Sequence, residues 1–135
     1  MLKIKRETDL GLVFLEELAG LEPGEYLSLQ RWAAGRHLPY RFLSKVAGNL
    51  KRSGLIISKE GKDGGYRLAK ASNQVKLGQV IKALEGGLSL IRCSTGAKCS
   101  CRKFCRHRIL MGKLGQTLEN ELNQVSLQAL YAGGH

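Results

Sequence analysis

The chain has 135 residues, 43% of them apolar, which suffices for one ordinary domain with one core. No stretch reaches the ~18 uninterrupted apolar residues of a membrane helix, and Met1-Leu2-Lys3-Ile4-Lys5-Arg6 lacks the apolar block of a signal peptide, so a cytoplasmic setting is expected. The net charge of +11 opposes compaction by self-repulsion, which favours service to a polyanionic partner over a merely basic surface.

In chain order, residues 8–19 carry Leu10, Val13, Phe14 and Leu18 at helical spacing. Thr8 is a candidate cap, and Asp9 adds a favourable negative charge to the first turn. Residues 20–25, with Pro23 and Gly24, read as a linker. Ser28 is placed to cap a short second helix that turns Leu29, Trp32 and Ala33 inward and ends at Gly35. After a tight turn over residues 36–38, Pro39 suits the first turn of a third helix over about residues 39–53. Its apolar stripe is Phe42, Leu43, Val46, Ala47 and Leu50; its outward face is Tyr40, Arg41, Ser44, Lys45, Lys51 and Arg52, with Gly54 as terminator.

Residues 55–59 and Tyr66-Arg67-Leu68 flank Asp63-Gly64-Gly65, a hairpin signal. Residues 77–85 predict a fourth helix burying Leu77, Val80, Ile81 and Leu84, stopped by Gly86-Gly87. Beyond the cysteines, residues 109–130 read as one long helix. Its stripe of Met111, Leu114, Leu118, Leu122 and Val125 is coiled-coil-like, and a second copy of the chain is the economical cover for it. Residues 132–135 read as a frayed end. The expected fold is therefore mostly α with a small β-hairpin wing: a winged helix-turn-helix plus a long C-terminal dimerisation helix. The expected divisions are a DNA-binding domain over 1–87, a cysteine-rich loop over 88–108 and a dimerisation helix and tail over 109–135.

Two constellations carry chemistry. A basic helix in a helix–turn–helix–hairpin order is placed to read the major groove of double-stranded DNA. Its candidate contacts are Pro39, Tyr40, Arg41, Ser44, Lys45, Lys51 and Arg52, with Ser28 before it and Lys59 and Lys62 at the hairpin tip. The alternative is a solvated basic face on an ordinary helix. The second constellation is Cys93-x5-Cys99-x5-Cys105 with Cys101 inserted. Clustered thiols without a secretory context point to metal or redox chemistry, against the alternative of four free cysteines. The intervals exceed those of zinc knuckles, and thiolates also suit iron–sulfur clusters. From Gly86 to Thr117 there is no acidic residue, while Arg92, Lys98, Arg102, Lys103, Arg106, Arg108 and Lys113 supply positive charge to balance a net-negative cluster. Cys101, His107 and, from a partner subunit, Asp9 are three candidates for a fourth ligand. A thiol redox enzyme is disfavoured, because no Cys-x-x-Cys, Ser–His–acid set or phosphate loop is present.

From Lys5 to Leu130 the chain resembles the IscR/NsrR-type (BadM-like) family of bacterial winged-helix iron–sulfur regulators. The matching residues are Arg6-Glu7-Thr8-Asp9-Leu10, Leu38-Pro39-Tyr40-Arg41-Phe42-Leu43, Leu50-Lys51-Arg52-Ser53-Gly54-Leu55, the wing Gly61-Lys62-Asp63-Gly64-Gly65-Tyr66-Arg67-Leu68, and the cysteine trio. The resemblance implies a non-enzymatic homodimer with crossing C-terminal helices. It further implies a 2Fe-2S or 4Fe-4S cluster that senses iron–sulfur status, iron, nitric oxide or redox state. Asp9 matches the position from which NsrR-like members donate a carboxylate across the dimer. The IscR-like histidine position holds Arg108 here, with His107 one residue earlier. Ser44 stands where the family often has Glu, and Glu60 where a wing arginine is common. The alternative within the same class is a regulator using its cysteines as a zinc site or thiol switch without a cluster.

Overall fold

A computed structural model describes residues 3–86 and 105–132. The elements are α1 (Arg6–Ala19), α2 (Leu29–Gly35), α3 (Tyr40–Arg52), β1 (Ile56–Lys59), β2 (Gly65–Leu68), α4 (Leu77–Glu85), α5 (Arg106–Gln124) and α6 (Leu127–Ala132). The architecture is a winged helix-turn-helix followed by C-terminal helices. Among the described residues no helix is long and apolar enough to cross a membrane.

The core joins Phe14, Leu15 and Leu18 of α1 to Leu29, Trp32 and Ala33 of α2, and to Leu43, Val46, Ala47 and Leu50 of α3. Phe14 sits at its centre, with its ring centroid 5.3 Å from that of Trp32 and 5.9 Å from that of Tyr66. Leu10 and Val13 only flank this core, and Leu15 is the deeper residue. The α1 cap departs from expectation. The helix starts two residues before Thr8, with Lys5 as N-cap and no side-chain cap bond. Thr8 is instead fully buried, and its Oγ1 donates to Glu85 Oε1 at 2.9 Å. A hydroxyl buried that deeply needs a partner, and Glu85 supplies an acceptor for its proton, whereas the helix N-terminus offers only N–H donors.

Ser28 caps α2 as expected: its Oγ accepts from Arg31 N at 3.4 Å. The turn to α3 is closed by Leu38 N donating to Ala33 O at 2.8 Å, with His37 at φ 55°. Pro39 lies one place earlier than expected, as the N-cap of α3, and its carbonyl accepts from Leu43 N at 3.1 Å. Leu43, Val46, Ala47 and Leu50 are buried and Phe42 packs partly against the core.

β1 and β2 pair antiparallel, Ile56 with Leu68, Ile57 with Arg67, Ser58 with Tyr66 and Lys59 with Gly65. The loop before α2 adds a further bridge, Leu27 to Tyr66, with N–H···O distances of 2.8 and 2.9 Å. That approach requires glycine at position 65: its φ is 148°, and a Cβ there would collide with the Leu27 carbonyl.

α4 buries Val80, Ile81 and Leu84 and ends at Gly86 with φ 78°, a left-handed C-cap. Leu77 is only half-buried.

The expected single C-terminal helix is two. α5 stops at Gln124, and Val125 is extended. Val125 O accepts from Leu77 N at 2.8 Å, and Leu127 N donates to Val75 O at 2.8 Å. Ser126 Oγ then accepts from Ala129 N at 3.0 Å, capping α6. The break carries Leu127, 1% exposed, into the core. Tyr131 OH donates to Leu12 O at 2.5 Å and ties α6 to α1.

Candidate nucleic-acid interface and cysteine site

The first half of α3 presents Tyr40, Arg41 and Lys45 to solvent, and Ser44 is half-buried beside them. The opposite stripe of the same helix fills the core, so the polar face has a fixed orientation. Pro39 is exposed at the helix start. Lys51 and Arg52 are exposed in the last turn, and Arg52 Nη2 bonds Asn49 Oδ1 on its own helix. Ser28 is half-buried and engaged in its cap. Its hydroxyl proton remains available to donate.

The two wing lysines are not equivalent. Lys62 stands in the hairpin turn. Lys59 is the last residue of β1 rather than a tip residue, and its Nζ lies 5.5 Å from the Tyr26 ring centroid. The Arg67 guanidinium lies 5.3 Å from the same centroid. Nothing in the sequence singles out Tyr26, and Arg67 stands there only within the wing motif, not among the DNA contacts. The period-two alternation of the hairpin, counted from Lys59, is the signal that would have found Arg67.

Of the candidate metal ligands, Cys93, Cys99 and Cys101 lie outside the described residues. Cys105 is the half-buried N-cap of α5, and His107 is exposed in that helix's first turn. Asp9 is exposed in the first turn of α1. Among the described residues no three His, Cys, Asp or Glu side chains converge. The start of α1 is nevertheless bound to the end of α4. Glu85 Oε1 accepts from Lys5 N at 2.8 Å and from Thr8 Oγ1 at 2.9 Å, one turn before the cysteine segment begins.

A helix-turn-helix with an exposed basic third helix and a braced hairpin defines a winged-helix DNA-binding regulator. A family model described as Rrf2, iron-dependent transcriptional regulator, matches residues 4–133, and the chain belongs to that family. Among solved structures it is similar to CymR, the global cysteine regulator of B. subtilis, at 25% identity over 98% of both chains with a TM-score of 0.74. The oxidized form of Staphylococcus aureus CymR matches at 26% identity over 96% of this chain and 95% of that one, with a TM-score of 0.68. T. potens IscR shares the fold at 24% identity over 99% of this chain and 89% of that one, with a TM-score of 0.74.

Proposed function

We propose that this transcriptional regulator is a cytoplasmic homodimer whose sequence-specific DNA affinity is set by an iron–sulfur cluster. Cys93, Cys99 and Cys105 would hold the cluster, with Asp9 of the second copy as fourth ligand. The observation that carries the reading is the position of Cys105. It is the residue at the N-cap position of α5, without a side-chain cap bond, and the exposed apolar residues Ile109, Leu110 and Leu114 begin within that helix's first turns. A ligand at Cys105 and a second copy on α5 would therefore act on the same element.

The donor set fits the group. Thiolates suit cluster iron, and the acid-free segment from Gly86 to Thr117 offers positive charge to a net-negative centre. Asp9 is exposed and makes no side-chain hydrogen bond or ion pair with the described residues, so its carboxylate is available. When bound, the cluster supplies a centre sensitive to oxidant, nitric oxide and iron supply. The chain's own residues do the recognition. Tyr40, Arg41, Ser44 and Lys45 enter the major groove, Arg and Lys pairing with guanine edges or phosphate. Ser28, Pro39, Lys51 and Arg52 meet the backbone, and Lys59 and Lys62 reach it from the wing. In a two-fold dimer the paired α3 helices address half-sites roughly 34–36 Å apart.

A second reading uses the cysteines as a zinc site or a reversible thiol switch. The likeness to an oxidized-form CymR favours the thiol switch of these two at the level of the chain as a whole. One preparation separates the two. Protein purified without air is assayed for visible absorption, iron, sulfide and zinc. Iron and sulfide with a charge-transfer spectrum, lost in Cys99→Ala, support the cluster. A colourless protein with stoichiometric zinc, or with neither metal, overturns it. Among the fourth-ligand candidates, Asp9→Ala shifts the spectrum or shortens its lifetime, while Cys101→Ala and His107→Ala stay near wild type. Loss in Cys101→Ala with Asp9→Ala unaltered assigns Cys101 instead.

A further inference from the structure

We propose that Tyr26 is a positioning residue of the wing, holding Lys59 and Arg67 together as a paired cation site for one backbone phosphate of duplex DNA. The inference rests on the DNA-binding reading and assigns two residues, Tyr26 and Arg67, that the recognition helix does not supply.

The hairpin register dictates the arrangement. Ile56 and Tyr66 face the core, so the alternation turns Ile57, Lys59, Gly65 and Arg67 to the other face. Lys59 and Arg67 are diagonal neighbours there, close enough for their charges to repel. Neither forms an ion pair with a described residue, and Arg67 Nε is buried without a hydrogen bond. What offsets the repulsion is the Tyr26 ring, with Arg67 Cζ at 5.3 Å and Lys59 Nζ at 5.5 Å. Both lie within the ~6 Å over which a ring face attracts a cation. The ring is held in place by its neighbour, because Leu27 exchanges both backbone hydrogen bonds with Tyr66.

Two cations gathered on one ring, neither ion-paired with a described residue, suit the charge of a phosphate. Tyr26 also lines an open cleft of about 730 Å³ between the start of α2 and the hairpin turn, with Ser28, Arg31 and Lys62. Glu25 and Asp63 line it too, so the cation pair on the ring is the stronger attractor for an anion than the cleft floor.

The test is fluorescence anisotropy of the full chain with a labelled random-sequence duplex two helical turns long, across a salt series. Tyr26→Phe keeps the ring and binds within twofold of wild type. Tyr26→Leu keeps every charge, so the salt slope is unchanged while affinity falls about fivefold. Arg67→Gln lowers the slope by ~0.9 per subunit. Wild-type affinity in Tyr26→Leu, or an unaltered slope in Arg67→Gln, overturns the proposal. If Tyr26→Leu does not fold by circular dichroism, Arg67→Gln and Lys59→Gln decide it in the intact Tyr26 background. Competition by inorganic phosphate at matched ionic strength, as strong as by unlabelled duplex, overturns the backbone assignment in favour of a small-anion site. Arg41→Ala is measured in parallel. Weakened binding there with unaffected wing variants defeats this inference alone, whereas no binding by the wild type defeats the DNA-binding reading itself.

Discussion

Thr8 and Glu85 stand 77 residues apart in sequence and share one hydrogen bond at the junction of α1 and α4. Thr8→Val keeps the volume and removes the donor. Glu85 Oε1 retains Lys5 N, so the expected loss is one net hydrogen bond, ~1 kcal/mol, read as a lower urea midpoint with unchanged slope. Gly65→Ala is the harsher change. It forces a side chain onto the Leu27 carbonyl at φ 148°, and amide exchange at Leu27 and Tyr66 is expected to accelerate while the α1–α3 core amides keep their protection. At Tyr131, burial and then the nearby Glu16 carboxylate push the phenol from 10.0 up to about 12. The folded state therefore favours the neutral phenol. This contribution is fully present below pH 10 and is lost as pH rises through about 12. A spectrophotometric titration of Tyr131→Phe is expected to lack the step near pH 12, and the variant loses its hydrogen bond to Leu12.

At the scale of elements, α5 exposes Ile109, Leu110 and Leu114 at 61%, 54% and 47%. An apolar face of that kind is the surface proposed for the second copy. Leu114→Asp is expected to give monomers by sedimentation with the monomer's own thermal stability little changed, since Leu114 contributes little to the intrachain core; an unchanged dimer would remove α5 from the interface. The elements that sequence periodicity delivered cleanly are those whose buried stripe is satisfied within the chain. α3 and α4 are examples, each with a glycine just beyond its last turn. The C-terminal region was less legible. Met111, Leu114, Leu118, Leu122 and Val125 keep a regular spacing, and nothing in that spacing marks where the chain bends. The bend is made by long-range backbone bonds from Val75 and Leu77 to Leu127 and Val125, which local pattern does not contain. Thr8 was misread for a related reason: its acceptor lies at the far end of α4.

For the molecule as a whole, the charge of +11 suits a polyanionic partner, and duplex binding through several phosphate contacts is expected to be strongly salt-dependent. Arg41→Ala and Lys45→Ala are each expected to weaken binding and to lower the slope of log affinity against log salt by ~0.9 per subunit where phosphate is the partner. Unaltered affinity and slope in both would take α3 out of the groove. The exposed basic face of α3 was legible because a helix–turn–helix–hairpin order and a basic stripe are both local properties. The brace on Tyr26 was not, since it depends on strand register and on a loop folding back onto the wing. The anchoring of Val125 has a mechanical consequence. α5 has 19 residues and, at ~1.5 Å per residue, is a rod of about 28 Å. Its far end is pinned to the segment ahead of α4, and Cys105 stands at its opposite end. A tilt of roughly 10° about the pin sweeps the Cys105 end through about 5 Å for a rod of that length. On the proposed reading, a shift imposed at Cys105 would reach the segment ahead of α4 reduced in amplitude and increased in force.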